Sequence, residues 1–230
     1  MILFDAHSHL PDAAPRQGIQ QVICGTRESD WAAILAHAKS AEWVIPMLGL
    51  HPWFVPEASP EWALRQESLL HSHRAGVGEC GLDFSWKEVD RMAQEAAFRV
   101  QLRLAHSLHR PVAMHVVGAW GRLVDLLREE GVPPAGAMVH AYTGSPETAQ
   151  ALQALGVFLS FSGDFLRAER PKVRESLRAV AASHLLLETD GTADLVRILE
   201  VAAELRRASV EELAAQTWEN GLYCFKEIMA

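Results

Sequence analysis

Two histidines one residue apart, His7 and His9 in FDAHSHL (residues 4–10), close the first apolar run of this chain. Side chains on a strand alternate between faces, so the two imidazoles point the same way and Ser8 points opposite. Two ring nitrogens on one face make half a metal site. An H-x-H pair also occurs as plain polar punctuation at a strand end, so the choice rests on where other ligand-type residues fall.

Apolar or β-branched runs recur at 2–6, 21–25, 44–50, 76–80, 111–115, 136–141, 156–161 and 184–188. Stretches with helical spacing lie at 29–40, 60–73, 88–109, 119–130, 145–154, 166–182, 193–206 and 209–228. SPET at 145–148 offers a Ser145 cap with Pro146 at the first helical position. This alternation predicts an α/β fold of the (β/α)8 TIM-barrel type rather than an open sheet. The first connection, 10–20, is short and proline-rich, so a reduced first helix is expected. In a parallel barrel the chemistry sits at the carboxyl ends of the strands. The residues that end or follow the apolar runs are His7, His9, His51, Glu79, Asp83, His115, His140, Glu188 and Asp190. Imidazoles and carboxylates meeting on one rim suit a divalent cation with mixed nitrogen and oxygen ligands, such as Zn, Mn, Ni, Co or Mg.

The chain contains its own control. HSHR at 71–74 repeats the spacing near a helix end. There, residues two apart splay by about 200° and cannot chelate together. His71 and His73 are expected to face solvent, and His37, His106 and His109 fall on helices in the same way; His184 opens its strand, on the opposite rim. Glu79 sits between glycines in GVGECGLDF, on a strand where a carboxylate is rarely left unpaired. Asp190 in LLLETDG shares a strand face with Glu188, so one can bind metal while the other orients a ligand or the reacting water. Asp83 is equally readable as a cap of the next segment. Trp53, Phe84, Trp86 and Trp120 near the rim line a pocket or pack under loops.

The bulk properties bound these readings. With 230 residues, 49% hydrophobic and 22% charged, the chain is expected to be one soluble domain spanning 1–230. No apolar run approaches the roughly 18 residues of a membrane span, and the N-terminus lacks a basic export signal, so a cytoplasmic address is expected. Cys24, Cys80 and Cys224 form no C-x-x-C pair and suit reduced, buried thiols. A net charge of −8 argues against a broad nucleic-acid-binding surface, while leaving room for an anion held locally by cations.

Six stretches in order, DAHSHL, GLHPW, GECGLD, PVAMH, VHAYTG and LLLETD, resemble the TatD-type metal-dependent hydrolases of the amidohydrolase superfamily, whose best-known members are deoxyribonucleases. The resemblance implies one or two divalent metals: His7, His9 and Asp190 for one, His115 and His140 for the other, with Glu79 bridging. It departs from the family pattern at Trp53, where a second histidine is common, and at Val117, where an arginine often follows the metal-binding histidine. GLDFSW lacks an arginine frequent there, and Gly191-Thr192-Ala193 replaces a Ser-Pro loop. Those cations would be natural phosphate contacts. The expected reaction is hydrolysis of a phosphodiester by a metal-activated water. Asp190 would act as base or water-orienting group, with His51, Asp83 and Glu188 near the substrate. The expected substrate is a small molecule or a nucleic-acid end, including single-stranded DNA. An amide or ester hydrolase and a metal-binding barrel without turnover are the alternatives.

Overall fold

The computed structural model describes residues 2–10, 18–191 and 194–229. Eight strands form one parallel sheet in chain order: β1 (Leu3–Ser8), β2 (Ile19–Cys24), β3 (Val44–Leu48), β4 (Gly76–Asp83), β5 (Val112–Val117), β6 (Ala137–Val139), β7 (Phe158–Phe161) and β8 (Leu185–Leu187). The helices between and after them are α1 (Glu28–Ser40), α2 (Trp62–Ser72), α3 (Arg91–Ser107), α4 (Trp120–Glu130), α5 (Pro146–Ala154), α6 (Pro171–Ala179), α7 (Leu195–Arg206) and α8 (Val210–Phe225). This is the (β/α)8 barrel. The connection expected to carry a reduced first helix falls largely at 11–17, outside the described residues.

The seam between the first and last strands is held by side chains as well as backbone. Asp190 N–H donates to the His7 carbonyl at 3.0 Å. The buried Asp5 carboxylate accepts from Thr189 N–H at 2.8 Å, from the Thr189 hydroxyl at 2.7 Å and from Gln21 Nε2 at 3.1 Å. Burial pushes the Asp5 carboxyl up to about 6 against these hydrogen bonds.

The barrel interior gathers Phe4, Ala6, Cys24, Met47, Ala113 and Leu186 into one apolar cluster that Cys224, Phe225 and Ile228 of the C-terminal segment join. Phe4 stacks on Phe225 at 5.9 Å. A second, larger cluster joins the outer strand faces to the helices. Strict alternation from Phe4 and Ala6 would send His7 outward, and alternation from the outward Val77 would do the same to Glu79. The ladder shifts register between Asp5 and Ser8 on β1, and between Val77 and Cys80 on β4. A one-residue shift changes the face on which the following side chains emerge. β1 and β4 are thus irregular where His7 and Glu79 turn inward.

The β4 irregularity needs glycine twice. Gly78 has φ +156°, open to glycine alone. A Cβ on Gly49 would lie 2.3 Å from the Gly78 carbonyl carbon and 2.4 Å from Glu79 N. That closeness lets the Glu79 N–H pass the end of β3 and donate to Gly25 O, 2.7 Å away.

Some expected boundaries move. β4 runs through Asp83, which was expected just beyond its strand. The single helix expected over 166–182 resolves into a 3-10 turn at Gly163–Leu166, α6 and a second turn at Ala182–His184. Pro171 stands at the start of α6 and Val180 leaves it extended. A 3-10 segment, Pro52–Glu57, caps the cleft side of β3. Among the described residues no helix is long and apolar enough to cross a membrane.

Candidate metal centre

The carboxyl rim collects the expected ligands around one carboxylate. Glu79 is 3% exposed, and its two oxygens face different sets of rings. Oε2 lies 3.4 Å from His7 Nε2 and 3.4 Å from His9 Nε2. Oε1 lies 2.8 Å from His140 Nε2, 2.9 Å from His115 Nδ1 and 3.4 Å from His51 Nε2. On the Oε2 side, Asp190 Oδ1 completes the group at 3.9 Å from His7 Nε2 and 3.7 Å from His9 Nε2.

Several rings have a defined orientation. His9 Nδ1 is 2.9 Å from the Cys24 carbonyl, which fixes a proton there and turns Nε2 inward, 3.1 Å from His7 Nε2. His115 turns Nε2 to Asp83 Oδ2 at 3.4 Å and offers Nδ1 inward. His140 turns Nδ1 to Glu188 Oε1 at 3.4 Å and offers Nε2 inward. A carboxylate behind an imidazole is the arrangement that orients metal-binding histidines. His51 is different: its Nδ1 accepts the Trp53 N–H at 3.2 Å, which assigns its proton to Nε2, the atom facing Glu79.

The acids expected near substrate divide. Glu188 is fully buried behind His140, where its Oε1 also accepts the Ala141 N–H at 2.7 Å, so its contacts are with the protein. Asp83 is 2% exposed and accepts from Trp53 Nε1 at 2.8 Å, from the Ser85 hydroxyl at 2.5 Å and from the Ser85 and Trp86 N–H groups. It caps the following turn and holds His115 together. Asp190, with φ +49° and a third of its side chain exposed, is the carboxylate that reaches the open cleft.

The electrostatics favour a cation. Burial would raise the Glu79 carboxyl, but the charges of His140 and His51 and hydrogen bonds from His115 and His140 hold it well below the usual carboxylate range. Burial lowers His7 and His51 from the ordinary imidazole value. His140 and His115 are pushed up despite burial, His140 by Glu79 and Glu188 and His115 by Asp83 and Glu79. His7, His9 and Glu79 bring ligand atoms within 4.8 Å of one another, as do His7, His140 and Asp190, and His51, Glu79 and His115. The donor set of nitrogens and carboxylate oxygens around a shared carboxylate fits one or two divalent ions.

The group opens into a cleft of about 710 Å³. Arg27, just past β2, lines it and was absent from the residues read at the strand ends; standing in GTRESD, it reads as the residue before a helix. Arg122, on the rim side of β5, is instead held by Glu95 at 2.7 Å and Glu129 at 3.0 Å, and Arg167 lies 3.7 Å from Asp164. His71 and His73 are exposed, and His184 sits beside Phe158 at the far rim.

Residues 4–226 match the family model described as "TatD related DNase". The chain is 35% identical to the 3'-5' ssDNA/RNA exonuclease TatD of Escherichia coli, over 81% of this chain and 72% of that protein. It is 27% identical to the metal-dependent hydrolase YabD of Bacillus subtilis, covering 98% and 99% of the two. The crystal structure of the E. coli TatD homolog YJJV superposes with a TM-score of 0.89 at 25% identity, over 97% of this chain and 98% of that one.

Proposed function

The chain belongs to the TatD-related DNase family, and from that membership we propose that it is a cytoplasmic, single-domain hydrolase that cleaves phosphodiester bonds with divalent metal. The observation that carries this reading is the division of Glu79, one oxygen toward His7 and His9 and the other toward His115 and His140. His7, His9 and Asp190 would hold one ion, His115 and His140 the other, and Glu79 both. Such ions, when bound, polarise a phosphoryl oxygen and bring the pKa of a coordinated water toward neutrality.

The chain's own groups do the rest. Asp190 faces the cleft, and its carboxylate takes the proton of the attacking water as the new P–O bond forms and returns it to the departing oxygen as the ester P–O bond breaks. His51 presents an N–H from Nε2, a donor suited to the oxygen on which charge develops. Asp83 and Glu188 act through His115 and His140, fixing which nitrogen faces inward. Short or single-stranded nucleic-acid ends of the kind the E. coli relative's name describes are the substrates to test first.

The test is a panel run with each of Zn, Mn, Ni, Co and Mg: single-stranded and duplex oligonucleotides, bis(p-nitrophenyl) phosphate and acyl esters. Metal-dependent cleavage of the phosphodiesters is the expected result. Cleavage of acyl esters alone would assign the site to carbonyl chemistry, and metal binding with no turnover anywhere would make the barrel a binding protein.

A further inference from the structure

One wall of the cleft, lined by Trp53, Phe54 and Arg27, is aromatic and cationic. The 3-10 segment Pro52–Glu57 places Trp53 and Phe54 around His51, with ring centroids 4.9 and 5.9 Å from the imidazole. Trp53 stacks on Trp86, from the loop after β4, at 4.7 Å and 26°. Phe54 is covered by the Arg27 guanidinium, whose Cζ lies 3.5 Å from the ring centroid. Both tryptophans remain more than a third exposed, at 38% and 36%. Among the described residues, Arg27 is the one lysine or arginine that lines the cleft.

Each half of this ledge has a chemistry. Two indoles stacked on each other leave an outer face on which a planar ring can stack, whatever the ring's hydrogen-bond pattern. A guanidinium seated over an aromatic ring can still pair its N–H groups with phosphate oxygens. Its partner Glu57 touches only Nη1, at 3.3 Å, and both side chains are exposed, so that pair yields to a phosphate at little cost. One cation neutralises one phosphate and one stacked pair takes one base. A polymer track needs a row of each.

We propose that this ledge holds a single nucleotide unit beside the scissile ester, its base on Trp53 and Trp86 and its outer phosphate on Arg27. The preferred substrate is then a dinucleotide-sized phosphodiester or the last residue of a strand. This rests on the phosphodiesterase reading above, and the experiment separates the two.

Binding is measured by titration calorimetry on the Mn-loaded full chain with thymidine 3′,5′-bisphosphate, both thymidine monophosphates and the abasic bisphosphate. The wild type is expected to bind the bisphosphate about tenfold more tightly than either monophosphate and about tenfold more tightly than the abasic analogue, the size of one stacked base or one charge-assisted pair. Arg27→Gln should erase the first difference and spare the second; Trp86→Ala should do the reverse. Arg27→Lys and Trp86→Phe, which disturb packing least, should each give an intermediate value at their own difference, and they decide the matter if the harsher variants fail to fold. A wild type that ignores ring and second phosphate, or variants that keep full discrimination, would overturn the ledge. Discrimination without turnover of any phosphodiester would leave the ledge standing and sink the hydrolase reading.

Discussion

Glu79 is an acid among imidazoles, and that placement makes its charge indispensable. Glu79→Gln keeps the shape but offers no second anionic oxygen, so two cations would face each other across a neutral amide. We expect metal content after dialysis to fall to background and hydrolysis with it, while His71→Ala, on an exposed helix end, changes neither; elemental analysis decides. Asp83→Asn and Glu188→Gln act one step back, through ring orientation. Loss of such outer carboxylates typically costs about 10–100-fold in metal affinity or activity, and competition with a chelator should show a loss of that size. The convergence of these side chains was legible in the sequence because each ends or follows an apolar run with an imidazole or carboxylate. The placement of Asp83 beside His115 and of Glu188 beside His140 was not, since spacing along a chain does not tell which side of a ring a carboxylate reaches. Arg27 escaped for another reason: its meaning depends on Phe54, a residue far away in sequence.

The β4 strand shows what one element must give up to present a ligand. A regular strand would be more easily made, yet Glu79 turns inward only because the ladder slips, and the slip is possible only where Gly49 lets two backbones nearly touch. Gly49→Ala forces backbone apart, since the atoms it meets are not the ends of flexible side chains. We expect a stability loss of about 1–3 kcal/mol or more, typical of overpacking, read from denaturant midpoints. Metal affinity should fall in parallel, because Glu79 itself is displaced. A variant that kept full metal affinity would show that the slip is incidental to the site. The run of strands and helices was readable from periodicity. The register slips were not, because a period of two assumes the regularity that these strands break; the glycines of GVGECG were the one visible sign.

At the scale of the molecule, charge and site oppose each other: a chain of net charge −8 is read as binding a polyanion. Cations held at the rim would reconcile them locally, while the remaining surface repels. Cleavage of single strands should therefore depend weakly on salt, with a slope of log KM against log salt near that of one or two phosphate contacts at about 0.7 each. A slope equal to six or more contacts would reveal a basic track elsewhere. The barrel was legible as a whole because eight apolar runs alternate with helical stretches, but its seam was not. That seam is where the first and last strands meet, His7 O to Asp190 N–H, with ligands on both sides of the join. A ribosome delivers the chain amino end first, so His7, His9, Glu79, His115 and His140 emerge well before Asp190. Until β8 closes on β1, the histidines at the seam have neither a fixed wall nor their second carboxylate. The full set of side chains around Glu79 therefore stands together only once β8 has closed on β1.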